Sequence, residues 1–310
     1  MASKDYLKLC QEAQNKKLKL AKKQEKQIKQ IYNDMYLKVS KKLSKVNPNT
    51  LSERYLEELK KELEKDIKSI HRQVGKVIKK NMEKSSELAN NVQLDFFMSI
   101  NNQYDLNMKD TFSSMFSKIP KDAMNEILFG KVYKDRVGLS ERIWLDTKKF
   151  NKDIDYIIAE GIANKKPIYE IAKDLEKYVN PNAAKEWEWS KVYPNTNKVV
   201  DYNAQRLART SIQHAFQQSQ KRSCAKNPYV EKIRWLSSNS SRTCELCNSR
   251  NNQLYDIKDV PLDHPNGICT TIPEITVSYE EIGEELKAWV SGEANAKLDK
   301  WFKRHVKDFI

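Results

Sequence analysis

Residues 28–77 read IKQIYNDMYLKVSKKLSKVNPNTLSERYLEELKKELEKDIKSIHRQVGKV. Ile28, Ile31, Tyr32, Met35, Val39 and Leu43 recur at three- and four-residue spacing, which places them on one face of a helix. Asn47, Pro48 and Asn49 interrupt the pattern. It resumes through Leu56, Leu59, Leu63, Ile67, Ile70, Val74 and Val77 at near-heptad spacing. Thr50, with Glu53 three residues on, is placed to start the second helix as a capping box. Two amphipathic helices around a short Asn-Pro-Asn turn predict an antiparallel hairpin. Upstream of Ile28 the stripe thins and lysine dominates, so the end of a helix spanning 3–46 is expected to fray.

Working outward, the chain keeps its helical character for most of its length. Residues 92–130 carry Phe96, Phe97, Met98, Phe112, Met115 and Phe116 and read as packing helices ending near Pro120 and Gly130. Ser140 is placed to cap a helix through Glu160 bearing Ile143, Trp144, Phe150, Ile154, Ile157 and Ile158, with Gly161 as its stop. Pro167 opens the next helix, which runs to Val179, and a further helix spans about 199–224. The period then shortens: YVEKIRWL, LYDI and TTIPEITV suggest short strands. Residues 279–310 return to helix, and Leu298, Trp301, Phe302, Val306 and Phe309 form a stripe that must bury on this chain or on a partner. The expected fold is mainly α: a long N-terminal helical hairpin and helical body, with a small α+β, zinc-ribbon-like module towards the C-terminus. The expected segments are a basic hairpin or coiled coil at 1–90, a packing segment at 91–139, a domain at 140–278 with its Cys/His module at 229–275, and amphipathic helices at 279–310.

Composition narrows the function classes. No apolar run approaches the length of a membrane span, and the N-terminus lacks the apolar core of a signal peptide. Five cysteines, an odd number in a chain of 310 residues, argue for a reducing compartment over a disulfide framework. The net charge is +14, concentrated in two zones: +9 over residues 1–50 and +6 over 201–250, against −4 over 251–310. Two basic zones suit a polyanion, double-stranded DNA first, held without sequence preference. Candidate contacts are Lys16, Lys17, Lys19, Lys22, Lys23 and Lys26 in the first zone and Arg206, Arg209, Arg222, Arg234 and Arg242 in the second. Solvated lysine faces are the competing reading for the first zone.

The densest chemistry lies in TCELCNSRNNQLYDIKDVPLDHPNGICTT, residues 243–271. Cys244 and Cys247 form one close pair, and His264 and Cys269 form another sixteen residues later. Three thiolates and an imidazole match tetrahedral zinc, and four protein ligands leave no open position, so such an ion would be structural. Three other readings stand beside it. The turn can pack without metal. A thioredoxin-type pair would need a βαβ setting that this segment lacks. An HNH-like nuclease would use Asp263 and His264, but it needs downstream ligands, and His305 is the one later histidine. A stand-alone zinc-containing DNA-binding protein is a further alternative. Cys10 and Cys224 lack such company and read as buried thiols.

Four ordered motifs carry a resemblance. They are IIAEGIANKKPIYEIAKDLEKYV at 157–179, NAQRLARTSIQHAFQQSQ at 203–220, VEKIRWLSSNSSRTCELCNSRNNQLY at 230–255 and PLDHPNGICTTIPE at 261–274. Together, residues 140–275 resemble the phage head morphogenesis family, the Mu F-like minor head proteins. Arg206, Arg209 and Thr210 match that family's Ala-Arg-x-x-Ala-Arg-Thr helix. The single Cys269 departs from the family's frequent CxC-like ending. The resemblance implies a non-enzymatic minor capsid protein of a tailed bacteriophage. Such a protein would associate with portal and capsid or scaffold proteins, in the virion head or portal region, and in the host cytoplasm during assembly. It would act in head assembly, genome packaging or ejection.

Overall fold

The computed structural model describes residues 4–182, 200–238 and 243–305. The fold is mainly helical, with one small antiparallel sheet near the C-terminus. The hairpin of the quoted stretch is present as α1 (Lys4–Leu43) and α2 (Glu53–Tyr104). Residues Pro48–Thr50 form a 3-10 turn capped by the Asn47 side chain, which accepts from the Asn49 N–H. That turn corrects the expected helix start at Thr50. The Thr50 hydroxyl and N–H both point back to the Asn47 carbonyl and cannot cap a helix ahead of them. α2 begins three residues later, with the Ser52 carbonyl accepting from Tyr55 and Leu56.

α2 also corrects the expected boundary at residue 90. Its composition changes there from charged to aromatic, but the three- and four-residue spacing does not break: Ala89, Val92, Phe96, Phe97 and Ile100 are all buried. The helix ends only where Asp105 and Asn107 turn left-handed, at φ 52° and 56°. The buried stripe of α1 likewise extends upstream of Ile28 through Tyr6, Cys10, Ala13, Lys17 and Gln24. The expected fraying end is therefore packed, with polar members in its inward face.

The chain divides into two compact units, built from residues 1–21, 81–128 and 210–310 and from residues 22–80 and 129–209. In the second of these, the hairpin halves run antiparallel, with Lys38 pairing to Asp66 at 2.8 Å and to Glu62 at 3.0 Å. α5 (Leu139–Ala163) and α6 (Ile168–Val179) join them, with Pro167 at the α6 cap as expected. Gly161 does not end α5; the helix continues to Ala163. A Cβ at Gly161 would meet Ile171 of α6 at 2.7 Å, so this glycine permits close helix packing. Helix α5 is capped at Gly138 and not at Ser140, and Trp144 stands on its outer face, 53% exposed.

The other unit holds α3 (Lys109–Ser117), α4 (Ile119–Leu128) and the Cys/His segment. Pro120 sits in the first turn of α4 and starts a helix, where the sequence suggested an end, because its missing N–H has no partner to lose there. α7 (Tyr202–Cys224) contributes its residues from 210 onward. Strands β1 (Lys232–Leu236), β2 (Leu254–Asp256) and β3 (Thr270–Glu274) pair antiparallel in the order β2-β1-β3. α8 (Glu245–Arg250) lies between β1 and β2 in sequence. α9 (Tyr279–Val290) opens with a capping box of Ser278 and Glu281, and α10 (Ala296–His305) follows. The α10 stripe buries on its own chain: Leu298 and Trp301 join a core with Phe96, Phe97, Phe112 and Phe116. Val306 and Phe309 of that stripe lie outside the described residues. No helix among the described residues is long and apolar enough to cross a membrane.

Candidate metal centre and basic surface

β1 and the start of α8 set the first cysteine pair. Cys244 takes the cap position of α8, its carbonyl accepting from Asn248 at 2.9 Å, which leaves Cys247 one turn on and on the same side. The second pair is carried by the loop from Asp263 into β3. His264 Nε2 lies 3.4 Å from Cys244 Sγ and 3.2 Å from Cys247 Sγ. A tetrahedral zinc with ordinary bond lengths needs nitrogen-to-sulfur edges of about 3.6 Å, so this trio has close to the required spacing. Cys247 also belongs to a second, fully buried group with Cys269 and Asp263. The four residues singled out from the sequence thus converge, with Cys247 as the shared corner. These side chains could hold a metal ion.

The orientation of His264 supports that use. Its Nδ1 donates to the Pro265 carbonyl at 2.9 Å, which fixes the proton there and turns the Nε2 lone pair towards the two thiols. Burial pulls the His264 pKa down, but the Pro265 carbonyl, Asp263 and Cys244 outweigh it and the net shift is upward. The Cys247 N–H, followed by the Cys247 and His264 side chains, lowers the pKa of the exposed Cys244. Burial pushes the Cys247 and Cys269 thiols up. Trp235, fully buried in β1, packs against Cys247 and Cys269 with Tyr255 at its edge.

Asp263 was expected, on the nuclease alternative, to work beside His264. It is buried instead, and its carboxylate is already engaged. Oδ1 accepts from the His264 N–H at 2.9 Å; Oδ2 accepts from the Cys269 N–H at 3.0 Å and from Gln213 at 3.2 Å. His305 closes α10 and belongs to no group of three metal-capable side chains among the described residues.

Sequence reasoning missed the partner of this loop, which is α7. Its residues 211–217 are all buried, although three of them are Gln213, His214 and Gln217. His214 Nε2 meets the Asp263 carbonyl at 2.8 Å, Gln217 accepts from the Asp263 N–H at 2.9 Å, and Gln220 donates to the Thr271 carbonyl at 2.9 Å. The signal was present as spacing: 213, 217 and 220 form a helical stripe of polar residues.

The basic candidates separate into two kinds. Lys16, Lys19, Lys22, Lys23 and Lys26 are exposed on α1, and Arg206 is exposed on α7. Lys17 is a correction. It occupies the inward stripe of α1, 3% exposed, where no phosphate can reach it. Arg209 pairs with Glu25 at 2.9 Å, Arg222 with Glu126, and Arg234 with Glu274 at 2.6 Å, so these guanidinium forks already face carboxylates of this chain. Arg242 lies outside the described residues. Cys10 and Cys224 are buried, as expected; burial pushes the Cys10 pKa up to about 12 and raises that of Cys224 well above its ordinary value. Comparison of the chain with known protein families, curated proteins and solved structures found no match.

Proposed function

We propose that this chain is a minor structural protein of a tailed phage head, a non-enzymatic partner of portal and capsid or scaffold proteins. Its Cys/His module would be closed by zinc. The observation that carries this reading is the convergence of two motif ends, Cys244-x-x-Cys247 and His264 to Cys269, from the series that resembles the head morphogenesis family. Cys244, Cys247, His264 and Cys269 would hold the ion, which supplies a crosslink between two loops when bound. The hydrogen bonds that occupy Asp263, and the cysteine-facing Nε2 of His264, favour this structural role over water activation. The exposed lysines of α1 would contact double-stranded DNA through its phosphates alone.

The deciding experiment is mass spectrometry of purified particles and procapsids made from the phage genome that encodes this chain. The protein should be present in few copies per particle and co-purify with portal; its absence from both would refute the reading. Incubation of the purified protein with plasmid and magnesium or manganese should leave the DNA intact. Cleavage abolished by His264→Ala would establish the nuclease instead. DNA retardation should fade steeply between low and moderate salt.

A further inference from the structure

Lys17 is, among the described residues, the one lysine or arginine that is buried. An ammonium taken out of water costs several kcal/mol unless it is hydrogen-bonded and paired, so its surroundings should account for it. Lys17 Nζ donates to Gln213 Oε1 at 2.5 Å and sits 4.7 Å from the centroid of the Phe216 ring. Gln213 extends the path: its Nε2 donates to the Cys269 carbonyl at 2.5 Å and to Asp263 Oδ2 at 3.2 Å. Asp263 then receives the backbone N–H groups of His264 and Cys269. A continuous chain of hydrogen bonds therefore runs from α1 to the backbone of two candidate metal ligands. Gly267 shows how closely the loop wraps this carboxylate, since a Cβ there would lie 2.1 Å from Asp263 Cγ.

Charge supplies a reason for the path. A divalent ion with three thiolates and a neutral imidazole carries a net charge of about −1, and the Asp263 carboxylate adds another. A buried cation on the far side of Gln213 offsets them. Burial lowers the Lys17 pKa to about 7 even though the negative charges of Asp263 and Cys269 oppose that pull, so the cation depends on them.

We propose that Lys17, Gln213 and Asp263 form a positioning relay that makes metal binding at the Cys/His cluster and the docking of α1 residues 4–21 interdependent. The proposal rests on the metal reading above. Coupling of this kind is reciprocal: the ion steadies the docked helix, and the docked helix tightens the ion.

Hydrogen exchange on the full-length protein, with zinc bound and after chelation, tests it. Chelation should speed exchange in residues 4–21 as well as in 244–271. Lys17→Met, which keeps the stem and removes the charge, should weaken zinc binding about fivefold or more against a competing chelator. Asp263→Asn should weaken it about ten- to a hundred-fold. In Lys17→Met the zinc-dependent part of the α1 protection should collapse; a purely packing role would lower protection equally in both states and leave that difference standing. Stoichiometric zinc whose removal leaves residues 4–21 unchanged would overturn the relay while sparing the metal site. Absence of bound zinc in the wild-type protein would overturn both, and zinc analysis tells the two cases apart.

Discussion

The hairpin segments at 22–80 and the Cys/His module are stabilised in opposite ways. Between Ile28 and Ile67 the hairpin buries Ile28, Tyr32, Met35, Val39, Leu56, Leu59, Leu63 and Ile67 in an apolar stripe, with the Lys38 ion pairs outside it; Gln24 and His71 are the buried polar residues beyond its two ends. The module has a local core of Trp235, Cys247 and Cys269 with Tyr255 against it. Around that core it depends on directed hydrogen bonds from Gln213, His214, Gln217 and Gln220. An apolar stripe needs no partner beyond another stripe. Tyr229, Val230, Ile233 and Ile275 of the module join the larger core of its unit, but the end around Trp235 has little apolar surface of its own, and the three cysteines and the histidine near it could hold a metal crosslink there.

The largest effect should come from removing the proposed zinc crosslink. Structural zinc contributes on the order of 10 kcal/mol to small modules that fold around it. Chelation, or Cys247→Ser, should expose residues 230–274 to proteolysis while 22–43 and 53–80 keep their helical circular dichroism. Loss of helix signal throughout would mean that the two regions are not independently held. Leu63→Ala is the converse probe. Leu63 is fully buried, and the truncation should cost about 2–5 kcal/mol in denaturant unfolding. Zinc content per folded molecule should stay unchanged.

The same contrast explains what could be read from the sequence. Helices announce themselves through apolar spacing, so α2, α5, α6 and the strands around Trp235 were legible. Their ends were less so, because glycine and proline signal in more than one way. Gly161 reads as a stop but serves a close approach to Ile171, and Pro120 reads as a break but begins α4. The cysteines and the histidine that come together were visible from spacing. Their supports were not: Lys17, Gln213 and Gln217 are polar residues on inward faces, and a periodicity argument counts such residues as solvent-facing. The arginines misled in a related way. Their clustering along the chain suggested a phosphate site, but Arg209, Arg222 and Arg234 have carboxylates within this protein.

Gly267→Ala sharpens the comparison at an intermediate level. The new methyl group would collide with a carboxylate that is buried and held by three hydrogen bonds, so it cannot swing away freely. Overpacking of this kind costs about 1–3 kcal/mol. It should appear as earlier thermal loss of zinc, read with a zinc-sensitive dye, while the Leu63 region is untouched. A variant that retains zinc as the wild type does would show that the loop yields easily.

The smallest effect belongs to the hairpin's outer ion pairs. Lys38 hydrogen-bonds Asp66 and also pairs with Glu62, and its pKa is raised, chiefly by the Asp66 hydrogen bond. Its side chain is 46% exposed, so water screens most of that interaction and Lys38→Ala should cost at most about 1 kcal/mol. The pH dependence follows from the direction of the shift. A lysine whose folded pKa is raised contributes fully below its unfolded value of about 10.4 and loses the contribution as pH climbs through the folded value. The difference between Lys38→Ala and wild type in urea unfolding should therefore be flat from neutral pH to about 10 and shrink above it. Added salt should reduce it at neutral pH. A cost comparable to that of Leu63→Ala would mean that the hairpin, like the module, depends on its polar contacts, and the contrast between the two regions would fail.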